Sequence, residues 1–120
     1  MKHPENWFKS LGHALNGLRT ASAERNFRFH IIATIGVLTS CYLLKLTSVE
    51  WICILSAITL VLITELINTA IERFCDLITK DYSLTIKQIK DITAGSVLIS
   101  SIYALLVAIL IIIPKLYLYF

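Results

Sequence analysis

The chain has 120 residues, of which 57% are hydrophobic and 16% are charged, and its formal net charge is +3. With a mean hydropathy of +0.76, the composition excludes a water-soluble monomer and predicts a single membrane domain that covers residues 1–120. Membrane topology and attraction to anionic headgroups explain the small positive charge, so no nucleic-acid partner is expected.

Residues 1–28 are predicted to form an amphipathic helix on the cytoplasmic surface of the membrane. Its apolar side chains recur at helical spacing, at Trp7, Phe8, Leu11, Ala14, Leu15 and Leu18. Polar and basic side chains fall mostly on the other side, at Lys9, His13, Asn16 and Arg19. Aromatic and basic residues of this kind suit the headgroup region. Periodicity alone leaves open whether this helix is only an anchor or also contributes to an active site.

Three apolar segments follow, and each is predicted to cross the membrane as a helix: residues 29–46, 51–72 and 92–113. A hydrocarbon core requires roughly 20 apolar residues, and the uncharged third segment reaches this length before Pro114 ends the apolar run. The first segment is short, and the stem of Lys45 is expected to extend it to the interface. The predicted fold class is therefore an all-α membrane protein.

The distribution of the eleven Lys and Arg residues predicts the orientation of the chain. Five of them precede the first span and four lie in the polar segment 73–91, which is predicted to be a loop. Only Lys45 and Lys115 lie elsewhere. Because positive residues concentrate on the cytoplasmic side, the N-terminus and the 73–91 loop are expected in the cytoplasm and the C-terminus outside.

The second span carries an unusual polar face in the stretch "ITELINTAIERFCD", residues 63–76. At 100° per residue, Glu65, Asn68 and Glu72 point to the same side of a helix. A carboxylate in the middle of a span costs about 2.5–3.5 kcal/mol on insertion scales, so Glu65 is expected to have a function rather than a packing role. Glu72 lies about two turns nearer the cytoplasm, at the level of the headgroups.

Further charged side chains are expected at the same cytoplasmic depth. Glu24 stands just before the first span, and Lys90 and Asp91 stand just before the third. Carboxylate oxygens and one cation are the groups that Mg²⁺ and a polyphosphate require. A soluble-type nucleotide fold is excluded, because the four glycines form neither GxxxxGK[ST] nor GxGxxG.

Two other patterns have structural interpretations. Small residues occupy every fourth position of the third span, at Ser96, Ser100, Ala104 and Ala108, and are expected to let another helix approach closely. The odd number of cysteines shows no metal-ligand spacing, so Cys41, Cys53 and Cys75 are interpreted as small buried hydrophobic residues.

The motifs "ELINTAIE" and "KDITAGSVL", with "GLRTASAERNFRFH" upstream, closely resemble the small bacterial membrane kinases of the diacylglycerol kinase and undecaprenol kinase family. The resemblance extends from about residue 5 to residue 113 and includes the layout of three spans. It implies an ATP-dependent lipid kinase that transfers the γ-phosphoryl group of Mg-ATP to the primary hydroxyl of a lipid alcohol.

The resemblance also assigns roles to residues. It makes Glu65 the general base and a contact of the lipid substrate, with Asn68 beside it, and it makes Glu24 and Glu72 the ligands of Mg-ATP. Nucleotide contacts are implied for Asp81, Tyr82, Ser83, Lys90 and Asp91, with Lys90 on the phosphates. Ser83 replaces a histidine that is common in the family. Asn6 and His13 align with nucleotide-contacting positions at which this chain has different residues.

Assembly, location and substrate also follow from the resemblance as expectations. It implies a homotrimer with sites at the subunit boundaries, located in the bacterial cytoplasmic (inner) membrane. One chain is expected to offer too few walls to bury Glu65, which favours an oligomer. The stretch "ERNFRFH" favours undecaprenol over diacylglycerol as the substrate. The alternative from another class is a small proton-coupled transporter that uses Glu65 as its exchanging carboxylate.

Overall fold

The computed structural model describes residues 7–120, which form four α-helices and no strand. The helices are α1 (Trp7–Ala21), α2 (Arg25–Leu44), α3 (Ser48–Ile78) and α4 (Leu84–Tyr119). Helices α2, α3 and α4 are each long and apolar enough to cross a membrane. The chain is thus an all-helical integral membrane protein with three candidate spans, and the fold class predicted from the sequence is confirmed to that extent.

The two long helices extend beyond the predicted spans. Helix α3 has 31 residues, which corresponds to about 46 Å at 1.5 Å per residue, whereas a hydrocarbon core is about 30 Å thick. The segment 73–91, which the sequence predicts to be a loop, is mostly helical, and only residues 79–83 interrupt the two helices. No Gly or Pro stands in this segment to stop the helix. The hydroxyl of Ser83 begins α4 by accepting a hydrogen bond from the backbone N–H of Ile86.

Pro114 does not end the last helix, because α4 continues through it to Tyr119. Proline removes one backbone donor from a helix, and spanning helices tolerate the loss where neighbouring groups satisfy the freed carbonyl.

An ion pair joins the end of α4 to the beginning of α3. The ammonium of Lys115 binds Glu50 at 2.9 Å. Glu50 also completes a capping box with Thr47 at the start of α3. The beginning of α3 and the end of α4 are therefore fastened together at the end of the bundle opposite to Glu24.

The predicted surface helix of residues 1–28 is divided in the structure. Helix α1 ends at Ala21, a short turn follows, and α2 already begins at Arg25. Glu24 occupies the N-cap position of α2 with an extended backbone, but its side chain makes no capping hydrogen bond. The carboxylate of Glu24 is thus available for partners on other helices.

Helices α3 and α4 form the most extensive helix pair of the chain. Ser100 is buried in this pair, and its hydroxyl lies 2.8 Å from that of Thr64 on α3. Of the small-residue stripe predicted from the sequence, Ser100 therefore packs within the chain and is not available to a neighbouring subunit. Cys41 and Cys75 are buried as expected, whereas Cys53 is half-buried.

Candidate active site

Glu65 lies on the buried face of α3. The buried residues of this helix recur at intervals of three or four positions through its middle, at Ile54, Ala57, Val61, Glu65 and Asn68. Only 3% of the surface of Glu65 is exposed in the single chain. The expectation that an oligomer is needed to bury Glu65 is therefore wrong: His30 of α2 contacts Glu65, Ser100 of α4 contacts the adjacent Thr64, and one chain shields the carboxylate.

The side chain of His30 on α2 faces Glu65. Its Nε2 atom lies 3.7 Å from Oε2 of Glu65, and the side chains are 17% and 4% exposed, respectively. His30 is not among the site residues predicted from the sequence. The available signal was its position inside a predicted span, where an ionisable side chain is as unusual as a carboxylate.

Three of the predicted site residues line one small polar cavity of about 180 Å³. They are Glu24 from the start of α2 and Glu65 and Glu72 from α3. The structure therefore brings together the proposed base and both proposed metal ligands. The cavity is also lined by three residues that the sequence patterns did not indicate, namely Arg25, Asn26 and Thr69.

Asn68 is buried on α3 beside Glu72, but it is not among the residues that line the cavity. Its side-chain nitrogen donates a hydrogen bond to Oε1 of Glu72 at 3.1 Å, which holds the carboxylate in position. Its Oδ1 atom is buried and has no hydrogen-bond partner among residues 7–120. A buried acceptor without a donor is costly, so this oxygen is a natural contact for a bound hydroxyl, water or cation.

Glu24 is held by a basic residue that the sequence patterns did not assign to the site. The Nη2 atom of Arg73 donates to Oε1 of Glu24 at 2.7 Å, and both side chains are about half exposed. This contact joins the turn before α2 to the C-terminal part of α3. A cation that uses Glu24 as a ligand must therefore compete with the guanidinium group.

Lys90 and Asp91 have separate partners. Lys90 donates to Oδ1 of Asp76 at 2.8 Å, and Lys87 donates to Oδ2 of Asp91 at 2.6 Å. Neither Lys90 nor Asp91 lines the polar cavity. Asp76 and Lys90 lie outside the predicted spans, and their contact lowers the pKa of Asp76 and raises the pKa of Lys90. Asp76 was not predicted either, because its pairing joins two different helices.

The remaining predicted nucleotide contacts lie in or near the connection between α3 and α4. The backbone N–H of Asp81 donates to the hydroxyl of Thr79, Tyr82 is exposed, and Ser83 caps α4. His13 is exposed on α1. Asn6 lies outside the described residues. The structure brings none of Asp81, Tyr82 and Ser83 into the lining of the polar cavity.

As they stand, no three His, Cys, Asp or Glu side chains within residues 7–120 are arranged to hold a metal ion. The donor set nevertheless suits Mg²⁺. Two carboxylates, Glu24 and Glu72, line the cavity, and the amide nitrogen of Asn68 is hydrogen-bonded to Glu72 while its buried oxygen has no partner among residues 7–120. Mg²⁺ is typically held by one or two carboxylates together with water and phosphate oxygens.

An apolar groove of about 390 Å³ lies between α2, α3 and α4. It is lined mostly by small and apolar side chains, at Phe29, Ala33, Thr34, Val37, Ile58, Val61, Ser101, Ala104, Leu105 and Ala108, and also by His30. Because His30 also contacts Glu65, this histidine lies between the apolar groove and the polar cavity.

Comparison with known proteins adds to this geometry. Residues 12–112, which include parts of all four helices, match the family described as prokaryotic diacylglycerol kinase. The undecaprenol kinase of Bacillus subtilis is 40% identical over 111 residues, which are 92% of this chain and 90% of that protein. The diacylglycerol kinase of a Synechocystis species is 35% identical over 92% of this chain and 65% of its own length. The diacylglycerol kinase of Escherichia coli is 32% identical over 82% of this chain and 81% of its own length.

Proposed function

The chain belongs to the prokaryotic diacylglycerol kinase family, and we propose that it transfers the γ-phosphoryl group of Mg-ATP to the primary hydroxyl of a membrane lipid alcohol. One observation carries the proposal: Glu24, Glu65 and Glu72 line one polar cavity, and Glu65 lies 3.7 Å from a histidine that lines an apolar groove. A reaction between a lipid and a nucleotide needs an apolar and a polar site that meet in this way.

In the proposed reaction, Glu65 is the general base. Its carboxylate accepts the proton of the lipid hydroxyl, the hydroxyl oxygen forms a bond to the γ-phosphorus, and the bond to the β,γ-bridging oxygen of ATP breaks to release ADP. The burial of Glu65 supports this role, since a shielded carboxylate has few competing water contacts. Asn68 orients Glu72 through the hydrogen bond between their side chains.

Glu24 and Glu72 are the proposed ligands of Mg²⁺, with Oδ1 of Asn68 as a further acceptor. When bound, Mg²⁺ neutralises charge on the phosphates and on the leaving ADP. Lys90 is proposed to bind the phosphates, which requires its ammonium to turn away from Asp76 or to share it. Contacts to the nucleotide are further proposed for Asp81, Tyr82, Ser83 and Asp91 and, less directly, for Asn6 and His13.

We also propose a homotrimer. A volume of about 180 Å³ is below the roughly 300–1,000 Å³ of typical ligand sites, so the polar cavity of one chain is too small for a nucleoside triphosphate. A neighbouring chain can supply the missing walls. The proposal of an oligomer therefore rests on the small size of the cavity and no longer on the burial of Glu65. The sites are again proposed to lie at the subunit boundaries.

Among lipid alcohols, we propose undecaprenol rather than diacylglycerol as the substrate. The basic stretch "ERNFRFH" supports it, as does the identity of 40% to an undecaprenol kinase, compared with 35% and 32% to diacylglycerol kinases. The hydrocarbon chain is proposed to lie in the groove that His30 helps to line, since this groove is apolar and lies within the spanning helices.

The protein is proposed to reside in the bacterial cytoplasmic membrane with the N-terminus in the cytoplasm and the C-terminus outside. Helix α1 is proposed to lie on the cytoplasmic surface. Its large apolar side chains are all exposed in the single chain, at Trp7, Phe8, Leu11, Leu15 and Leu18, so the headgroup region can receive them.

Transfer of labelled phosphate tests the proposed function. The purified protein is mixed with Mg²⁺ and γ-labelled ATP, and undecaprenol and diacylglycerol are offered in parallel in mixed micelles. We expect label in the lipid fraction, with more product from undecaprenol. A protein that labels neither lipid but moves a hydrophobic cation in response to a proton gradient would instead be the transporter considered above.

A further inference from the structure

Among residues 7–120, His30 is the only basic side chain within 4 Å of the Glu65 carboxylate. Arg25 lines the same polar cavity as Glu65 but forms no ion pair with it. The Nε2 atom of His30 faces Oε2 of Glu65 at 3.7 Å, which leaves Oε1 without this contact. The two carboxylate oxygens are therefore in different surroundings.

We infer that His30 is a positioning residue that holds the Glu65 carboxylate where the apolar groove meets the polar cavity. This inference rests on the proposed function, since it assigns His30 to the same reaction. In this arrangement, the imidazole N–H at Nε2 of His30 donates to Oε2 of Glu65, and Oε1 of Glu65 accepts the proton of the lipid hydroxyl. The hydroxyl proton ends on Glu65, and His30 gains and loses none.

Three physical reasons support the assignment. A carboxylate at this depth needs a donor to offset the loss of its hydration, and His30 supplies the nearest one from another helix. The separation of 3.7 Å is longer than a hydrogen bond, but catalytic contacts are often long without substrate and shorten in the complex. A carboxylate beside Nε2 also favours the tautomer with its proton on that nitrogen.

The location of His30 gives a fourth reason. It lines the groove together with Phe29 and Ala33, whereas Glu65 lines the polar cavity with Glu24 and Glu72. A lipid whose hydroxyl lies near His30 in the groove would have this hydroxyl close to Glu65 as well, because the two side chains are 3.7 Å apart. The histidine can thus set the carboxylate orientation at the point where the hydroxyl arrives.

Two polar substitutions separate positioning from packing. In His30→Gln the side-chain nitrogen reaches nearly as far as Nε2, whereas in His30→Asn it reaches only as far as Nδ1. We expect His30→Gln to retain a third or more of the wild-type kcat, and His30→Asn to lose about tenfold or more, within the range typical of misplaced catalytic groups. The KM for Mg-ATP should change by less than about twofold in both, because the metal site is intact.

A double mutant then tests whether His30 acts through Glu65. If it does, His30→Asn should lower the residual rate of Glu65→Gln by less than about twofold, since the group that it positions is already gone. Ser40→Ala on the exposed part of α2 serves as the control for a harmless change in the same helix.

Each outcome decides the inference. The inference is overturned if His30→Asn has the kcat of wild type, or if the Gln and Asn variants lose activity equally. It is also overturned if the loss of activity in the double mutant is the product of the losses in the two single mutants. If the wild-type protein phosphorylates a lipid, Glu65→Gln is inactive and the His30 variants are unimpaired, only the role of His30 is rejected. Wild-type protein that phosphorylates no lipid would reject the proposed function itself.

Discussion

The guanidinium of Arg73 lies 2.7 Å from the carboxylate of Glu24, so that one of the two proposed Mg²⁺ ligands is already paired with a cation. Both side chains are about half exposed, and such pairs contribute about 0.2–1 kcal/mol. The contact is therefore weak enough for a divalent cation to displace, and it should set how much Mg²⁺ the enzyme needs.

Arg73→Gln should lower the Mg²⁺ concentration for half-maximal activity by up to about fivefold, because Mg²⁺ no longer competes with the guanidinium group for the carboxylate of Glu24. The measurement is a Mg²⁺ titration at saturating ATP. An increased requirement would show instead that Arg73 itself binds the phosphates.

Glu24→Gln and Glu72→Gln should each weaken Mg-ATP binding, because each removes one of the two anionic side chains that are proposed to bind Mg²⁺. Raised Mg²⁺ should partly restore the milder variant. Nucleotide affinity measured across a Mg²⁺ titration reports both effects. Glu50→Gln is the matched control, since Glu50 is a carboxylate at the opposite end of α3. If both variants bind Mg-ATP as the control does, Glu24 and Glu72 are only interfacial anchors.

Lys90→Gln should raise the KM for ATP by about tenfold or more, because it removes the cation that is proposed to bind the phosphates. Lys115→Gln provides the control, since Lys115 also pairs with a carboxylate but lies at the other end of the bundle. The pKa of Asp76 lies below its usual value and the pKa of Lys90 above its usual value. Both groups therefore keep their charge between about pH 6 and 9, and the effect of Lys90→Gln should be constant over that range.

Glu24, Glu65 and Glu72 of one chain line the same cavity. An inactive Glu65→Gln chain mixed with an inactive Glu24→Gln chain should therefore regain no activity, even if a neighbouring chain completes the nucleotide site. The assay requires mixed oligomers verified by two different affinity tags. Recovered activity would mean that these two carboxylates come from different subunits.

The sequence was sufficient to predict those parts of the site that depend on one helix. Glu65, Asn68 and Glu72 share a face because of the helical period, and Glu24 lies near them because the start of α2 lies at the same depth as the end of the predicted second span. The three spans followed from hydropathy in the same way.

The contacts between helices could not be predicted. His30, Arg73 and Asp76 face their partners because each helix has a particular rotation about its own axis, which hydropathy does not specify. The ends of α3 and α4 were also missed, because a helix continues into water where apolar residues stop but no Gly or Pro intervenes. The burial of Glu65 within one chain could not be predicted either, since it depends on how closely α2 approaches α3.

The central claim is that Glu65 accepts the proton while a separate set of carboxylates binds Mg-ATP, and Glu65→Gln tests it most directly. The variant keeps the shape of the side chain and removes its basicity. Turnover with undecaprenol and the affinity for Mg-ATP are measured on the same preparation. We predict a loss of turnover of about 10²–10⁴-fold, the usual contribution of a general base, with a change of less than about threefold in Mg-ATP affinity. Turnover comparable to wild type would contradict the account.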